Sequence, residues 1–241
     1  MGWGKLQTAL DIIYPPRCVA CGGHVESDYG LCGTCWRQVH FMRGTGCWTC
    51  GLSLPGYLDA SEQVICDSCL SLGPPWRRGV AALAYDETGR SLVLALKHGD
   101  RHDIVRPAAD WMAQVSRVLV QPNMLVAPVP LHWTRLFRRR YNQAAVLGQR
   151  LSQISAVPAI PDLLVRKRAT PSQGRFSPSA RKRNVRGAFQ VREKYIPNIS
   201  GKRVVLVDDV LTTGATASAV TRALLGAGAE AVDVLTLGRV L

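Results

Sequence analysis

The sequence predicts an α/β domain built on a parallel sheet and preceded by a small cysteine-rich domain. Three observations predict it. From residue 79 onward, short apolar runs alternate with segments of helical periodicity. The run at 204–207 is short, β-branched and followed at once by a turn and a helical pattern. All eight cysteines fall before residue 70, in four C-x2-C pairs. Strand–helix alternation is what a parallel sheet with crossover helices requires, and 241 residues suffice for one sizeable core plus an appendage. The division expected is 1–73 for the cysteine-rich part and 74–241 for the α/β part.

Along the chain, Trp3, Leu6, Leu10 and Ile13 recur at helical spacing around Asp11, which predicts a short helix packed on the body. The segment lacks a small-residue cleavage site and does not read as an export signal. The longest uncharged run, 118–134, is broken by Pro122, Pro128 and Pro130, so no membrane insertion is expected. A cytoplasmic location follows as the expectation. The pairs are Cys18/Cys21, Cys32/Cys35, Cys47/Cys50 and Cys66/Cys69. Two thiolates two residues apart can grip one tetrahedral ion, and two pairs complete a closed, structural zinc site. Two zinc ions are expected. Disulfides are the alternative, but a reducing compartment disfavours them.

An internal repeat suggests the pairing. Gly22 and Gly51 follow Cys21 and Cys50, whereas Trp36 and Leu70 follow Cys35 and Cys69. The order is one type of knuckle, then another, twice. This assigns Cys18, Cys21, Cys32 and Cys35 to one ion and Cys47, Cys50, Cys66 and Cys69 to the other, with interleaved pairing as the alternative. So few aliphatic side chains cannot hold this part together unaided, so bound metal would supply folding free energy. His24 and His40 read as loop or packing residues beside a full set of thiolates.

Strands are predicted at 80–84, 124–129, 163–165, 204–207 and 232–237, and helices at 91–97, 104–120 and 142–154. Another helix follows 214, with Ala217, Val220, Ala223 and Leu224 on one face and Gly226 and Gly228 ending it. In such sheets ligands bind beyond the carboxyl ends of the strands, and there the string V-V-L-V-D-D-V-L-T-T-G-A-T, residues 204–216, sets Asp208 and Asp209. Carboxylates accept hydrogen bonds from vicinal ribose hydroxyls. Thr212, Thr213 and Thr216, with the backbone of Gly214 and Ala215 at a helix N-terminus, donate to phosphate oxygens. One loop can therefore grip a ribose 5-phosphate at both ends.

Further segments suit the same ligand. Residues 126–132 end a strand in a proline-stiffened turn through Val129, Pro130, Leu131 and His132, with amides held ready for a diphosphate. Arg135, Arg138, Arg139 and Arg140 follow, and guanidinium forks bind phosphate oxygens bidentately. Residues 168–189 are polar and punctuated by glycine and proline, and read as a lid that closes over the ligand, with Arg183 and Asn184 near its return end. Plain surface disorder is the alternative.

The net charge of +13 is concentrated. Residues 1–73 hold 4 Lys+Arg and 6 Asp+Glu, whereas 135–192 hold 14 Lys+Arg and Asp162 as the lone acid. Such a field attracts pyrophosphate or nucleic acid. Trp133, Phe137, Tyr141 and Phe176 are interleaved with it and could stack the bases of a single strand, or pack in the core.

The 204–216 string resembles the signature of the type I phosphoribosyltransferases, which bind phosphoribosyl pyrophosphate (PRPP) with magnesium. The ordered set of double C-x2-C ribbons, L-K-H-G-D-R at 96–101, V-P-L-H at 129–132, R-R-Y-N-Q at 139–143, R-x-T-x-x-Q at 168–173, K-R-N-V-R-G-A-F at 182–189 and Asp208-Asp209 resembles the ComF family. The resemblance covers nearly the whole chain. It implies a type I phosphoribosyltransferase-like fold and a role in competence and DNA uptake. Asp208 and Asp209 would carry the chemistry, and Lys97, Arg135 and Arg139 would stabilise pyrophosphate as it leaves for an unidentified nitrogen acceptor. A non-catalytic protein that handles single-stranded DNA and keeps the PRPP pocket as a sensor or relic is the rival reading. Where the family usually has R-G-F-N-Q, this chain has Arg140 in the glycine position.

Overall fold

The computed structural model describes residues 14–42, 44, 46–56, 63–98, 101–168, 185 and 187–241. The helix expected at 3–13 and most of the expected lid, with Arg183, Asn184 and Phe176, lie outside them. The main sheet is parallel and four-stranded: β1 (Arg78–Ala84), β2 (Leu125–Pro128), β5 (Arg203–Leu211) and β6 (Ala231–Arg239), in the order β1-β6-β5-β2. Consecutive side chains of β5 enter opposite cores, as a strand covered on both faces demands. Val204 and Leu206 join one buried cluster, Val205 and Val207 the other.

Helices cover both faces. Among the described residues of the cysteine-rich part lie two short helices, α1 (Gly33–Gln38) and α2 (Asp67–Leu72). The helices of the α/β part are α3 (Glu87–His98), α4 (Val105–Ser116), α5 (Trp133–Arg139), α6 (Gln143–Ser155), the single turn α7 (Ile196–Ile199) and α8 (Ala215–Gly226). Leu92, Trp111 and Leu147, from α3, α4 and α6, pack with Val205 and Val207, whereas Val220 and Leu224 of α8 pack with Val204 and Leu206. At the amino end of the sheet Asp233 is fully buried and takes Arg77 at 2.8 and 2.9 Å and Arg203 at 3.0 Å. A buried carboxylate without such partners would cost several kcal/mol, about 3–5.

The structure corrects three expectations and adds one helix. The strand expected at 163–165 does not join the parallel sheet: β3 (Leu164–Arg166) pairs antiparallel with β4 (Phe189–Val191) in a separate ribbon. Three apolar residues fix a strand but not its partner. The strand expected to stop at Val207 runs on to Leu211. The helix expected over 104–120 ends at Ser116, whose carbonyl accepts the N–H groups of Leu119 and Val120. Finally, the arginines after His132 ride on a helix of their own, α5. His132 caps it, accepting the Thr134 N–H at 3.4 Å.

Candidate functional site

The position of the paired acids follows from a mismatch in strand length. β2 stops at Pro128, opposite Val207, while β5 continues beside β6 with Asp208 opposite Thr236 and Leu211 opposite Arg239. The backbone of Asp208 and Asp209 thus stays anchored on one side as it loses its neighbour on the other. A cleft of about 320 Å³ opens there. Lys97, Val129, Pro130, Leu131, Arg135, Arg139, Asp208, Asp209, Thr212, Gly214, Ala215 and Thr216 all line it. Among the described residues three sequence-predicted ones do not: His132 is buried as the cap of α5, Arg140 lies with Trp133 and Phe137 on a separate hollow, and Thr213 turns its hydroxyl into the protein, where it is buried and makes no hydrogen bond.

Each wall has a local cause. Asn142 caps α6 by accepting the Ala144 N–H at 3.1 Å and donates from Nδ2 to the Val129 carbonyl at 3.0 Å, pinning the proline turn. Gln143 is buried and accepts from Arg139 at 3.3 Å. Tyr141 donates to the Leu96 carbonyl and packs against His102, with centroids 4.6 Å apart and the rings tilted by 42°, so it belongs to the frame and not to a stacking surface. Arg140 adopts φ +66°. That left-handed turn is where glycine is at ease, which explains the family's glycine at this position.

The turn into α8 is made by Gly214 at φ +72°, and its Hα side lies on the ring of Trp76. α8 then starts at Ala215, twelve residues long, with its N-terminus toward the cleft. The N–H groups of a helix's first turn and its dipole favour an anion there.

Charge is concentrated in the cleft. Asp209 pairs with Lys97 at 3.1 Å. Asp208 accepts the Asp209 N–H at 2.9 Å. Burial, then the neighbouring Asp209 charge, pushes the Asp208 carboxyl up to about 7, against the pull of Lys97 and Arg166. Arg166 and Arg138 also line the cleft. Burial, then Arg135 nearby, brings Arg166 down to about 10, and burial with Arg139 and Arg138 lowers Arg135. Arg166 escaped sequence reasoning because it stands at the end of the apolar run L-L-V-R. A charge closing such a strand was its signal. A larger hollow, about 550 Å³ between the cysteine-rich part and β1, is lined mostly by apolar and backbone groups and gathers no set of opposed charges.

The cysteines form two tetrads, Cys18, Cys21, Cys32, Cys35 and Cys47, Cys50, Cys66, Cys69, each with sulfurs within 4.8 Å of one another. Cys21–Cys32 and Cys50–Cys66 sulfurs are both 3.8 Å apart. Thiolates about 2.3 Å from a tetrahedral ion lie about 3.8 Å apart, so the sets fit zinc. The tetrads are built alike: Cys32 N–H points at Cys18 Sγ at 3.3 Å, and Cys66 N–H at Cys47 Sγ at 3.4 Å. Among the described residues no helix is long and apolar enough to cross a membrane.

Comparison with known proteins agrees with this architecture. A double zinc ribbon domain matches residues 9–70 and a phosphoribosyl transferase domain matches 110–239. The DNA utilization protein YhgH of Salmonella typhimurium is 35% identical over 89% of this chain and 92% of its own length. Competence protein F of Haemophilus influenzae is 31% identical over 92% and 96%. Among solved structures, adenine phosphoribosyltransferase from Thermoanaerobacter pseudethanolicus overlaps 60% of this chain and 83% of its own at 15% identity, with a TM-score of 0.36, too loose a likeness to carry an argument. Two thiolate tetrads of the zinc-ribbon kind, a parallel sheet of the phosphoribosyltransferase type and near full-length relatives make this chain a member of the ComF family, which includes competence protein F and YhgH.

Proposed function

We propose that the cleft binds PRPP with magnesium and that the chain transfers phosphoribose to a nitrogen acceptor. The observation that carries this is the convergence of Asp208, Asp209, the 212–216 turn and the cations Lys97, Arg135, Arg139 and Arg166 on one cleft. Asp208 and Asp209 would accept the ribose 2- and 3-hydroxyls, and the turn with the α8 N-terminus would hold the 5-phosphate. Magnesium, held by one of the carboxylates, water and the substrate's own oxygens, would neutralise charge on the diphosphate. The donor set is of the hard, oxygen-rich kind that this ion takes.

As the bond from the anomeric carbon to pyrophosphate lengthens, the sugar ring gains positive charge and the leaving group negative charge. The acids and arginines are pre-arranged for both, which is electrostatic catalysis without a protonated leaving group. Lys97 holds Asp209 in place and faces the same charge. Calorimetry with Mg·PRPP tests the site, and pyrophosphate release with candidate acceptors tests transfer. Binding that is unchanged in Asp208→Asn/Asp209→Asn would overturn the assignment.

The relatives' names, competence protein F and DNA utilization protein, support a role in competence and DNA uptake for this chain; on the same reading it is a cytoplasmic protein divided into a double zinc ribbon over 1–73 with two structural zinc ions and a transferase part over 74–241. A specific feature favours contact with single-stranded DNA. Trp133 and Phe137 stand one turn apart on α5, 71% and 86% exposed, with Arg138 and Arg140 beside them. Bases stack on such rings while the cations follow the phosphates. On this second reading the PRPP cleft serves as a sensor or relic. A salt titration decides it: affinity for a single strand that does not fall with salt removes the nucleic-acid role.

A further inference from the structure

The second cysteine tetrad is wired to the cleft. Arg239, the last residue of β6, donates from Nη2 to Cys50 Sγ at 3.5 Å and from Nη1 to the Leu211 and Thr212 carbonyls at 3.3 and 3.2 Å. One guanidinium therefore joins the thiolate cluster to the backbone that leaves the paired acids and enters the turn. Trp76 makes a second join. Its indole N–H donates to the Thr49 carbonyl at 2.5 Å, inside the Cys47–Cys50 knuckle, and its ring covers Gly214, where a Cβ would lie 2.6 Å from Cη2. Leu211, Ala215 and Ala217 share one buried cluster with all four cysteines of this tetrad.

The first tetrad is held differently. Arg101 donates to the Val19 carbonyl at 3.0 Å and pairs with Asp103, and Val19 packs into the cluster on the opposite face of the sheet. Cys21 of that tetrad is exposed, whereas all four cysteines of the second are buried.

Four thiolates on a divalent ion leave a net charge of about −2, which a buried site must offset with N–H donors and a cation. Arg239 is that cation for the second tetrad. Its five donors in a rigid fork let it face the sulfur and the carbonyls of Leu211, Thr212 and, next to it in the chain, Val240 at once. Loss of the ion releases the four sulfurs from their tetrahedral arrangement, so the sulfur on which one arm of the fork rests is no longer held in place, and the other arm then holds the turn less firmly.

We propose that Arg239, assisted by Trp76, is a positioning residue through which the metal-loaded second ribbon fixes the 211–216 turn in its phosphate-binding shape, so that the cleft depends on the second metal and not on the first. This rests on the reading of the cleft as a phosphate-ester site, but the coupling itself can be read without ligand.

The test follows amide hydrogen exchange of peptides covering 211–216 in the full zinc-loaded chain while a chelator withdraws metal and an indicator counts the zinc released. Protection of the turn is expected to survive loss of the exposed first ion and to fall at least tenfold with the second. Arg239→Met, with both ions bound, is expected to show the fast exchange from the outset, to lose its second zinc sooner and to bind Mg·PRPP at least tenfold more weakly. Arg239→Lys should restore part of each. Turn protection that persists after both ions have gone, or that disappears with the first, overturns the proposal. So does an Arg239→Met chain whose turn exchanges as slowly as the parent's. If Arg239→Met does not fold, Arg239→Lys and the parent chain's chelation series carry the same outcomes. A parent chain that shows the coupling yet binds no Mg·PRPP would sink the function proposed for the cleft and leave this inference standing.

Discussion

Replacing Asp208 by asparagine removes a carboxyl that burial and a neighbouring acid both hold toward its neutral form. That carboxyl is pushed from the ordinary 3.8 to about 7 by burial and by Asp209. Between these values the unfolded chain has released the proton and the folded chain still holds it. Stability from this group is therefore complete below about pH 4, declines as pH rises and is fully lost above about 7. Three pH units at about 1.4 kcal/mol each give a decline of about 4 kcal/mol. Asp208→Asn has no proton to lose, so its stability should lack this decline. The assay is urea unfolding of both proteins from pH 4.5 to 8, taking the difference at each pH so that groups remote from the Asp208–Asp209 pair cancel. The same proton bears on ligand. Ribose hydroxyls and a metal both favour the ionised carboxylate, so Mg·PRPP affinity should rise up to tenfold per unit below pH 7 and level off above it. Calorimetry in buffers of different ionisation enthalpy should show close to one proton released at pH 6. A difference between the two proteins that is flat across the whole range would refute the argument.

Other outcomes follow from particular contacts. Gly214→Ala must adopt φ +72° and set its Cβ 2.6 Å from the Trp76 ring; a loss of about 2–4 kcal/mol in urea unfolding and weaker Mg·PRPP binding are expected. Arg140→Gly relieves a non-glycine residue at φ +66° and should stabilise the protein by about 0.5–1 kcal/mol, the relief exceeding the unfolded-state entropy that glycine adds. Trp133→Ala and Phe137→Ala, both on the exposed face of α5, should each weaken single-stranded DNA binding by about 1–3 kcal/mol in fluorescence titrations while leaving Mg·PRPP affinity unchanged. Exhaustive chelation should release two equivalents of zinc per chain and unfold the cysteine-rich part, read as loss of protection over 14–72.

Much of the site was legible because local chemistry announces itself. Val204 to Thr216 states its own strand, acids, turn and helix start, and the four C-x2-C pairs state their ligands by spacing. The repeat of Gly22 and Gly51 even gave the pairing that the two tetrads show. What it did not state was which distant segments complete each wall. Arg166 reaches the cleft from a β-ribbon whose partner strand begins at Phe189, and no local pattern encodes a pairing across so wide a gap in sequence. His132 read as a diphosphate contact because it ends the proline turn, but burial and the Thr134 N–H made it a helix cap. Tyr141 read as a ring that either stacks bases or packs in the core, and the Leu96 carbonyl that takes its hydroxyl decided for the second.

By itself, then, the sequence determined the α/β class, the thiolate sets and the acidic turn, since period, spacing and residue chemistry act within a few residues of one another. Only the tertiary structure decided that β5 outruns β2, that Arg166 joins the cleft and that Arg239 and Trp76 bind the second ribbon to the turn. Those are contacts between residues up to 189 apart in the chain, set by how layers pack, and packing is a property of the whole fold.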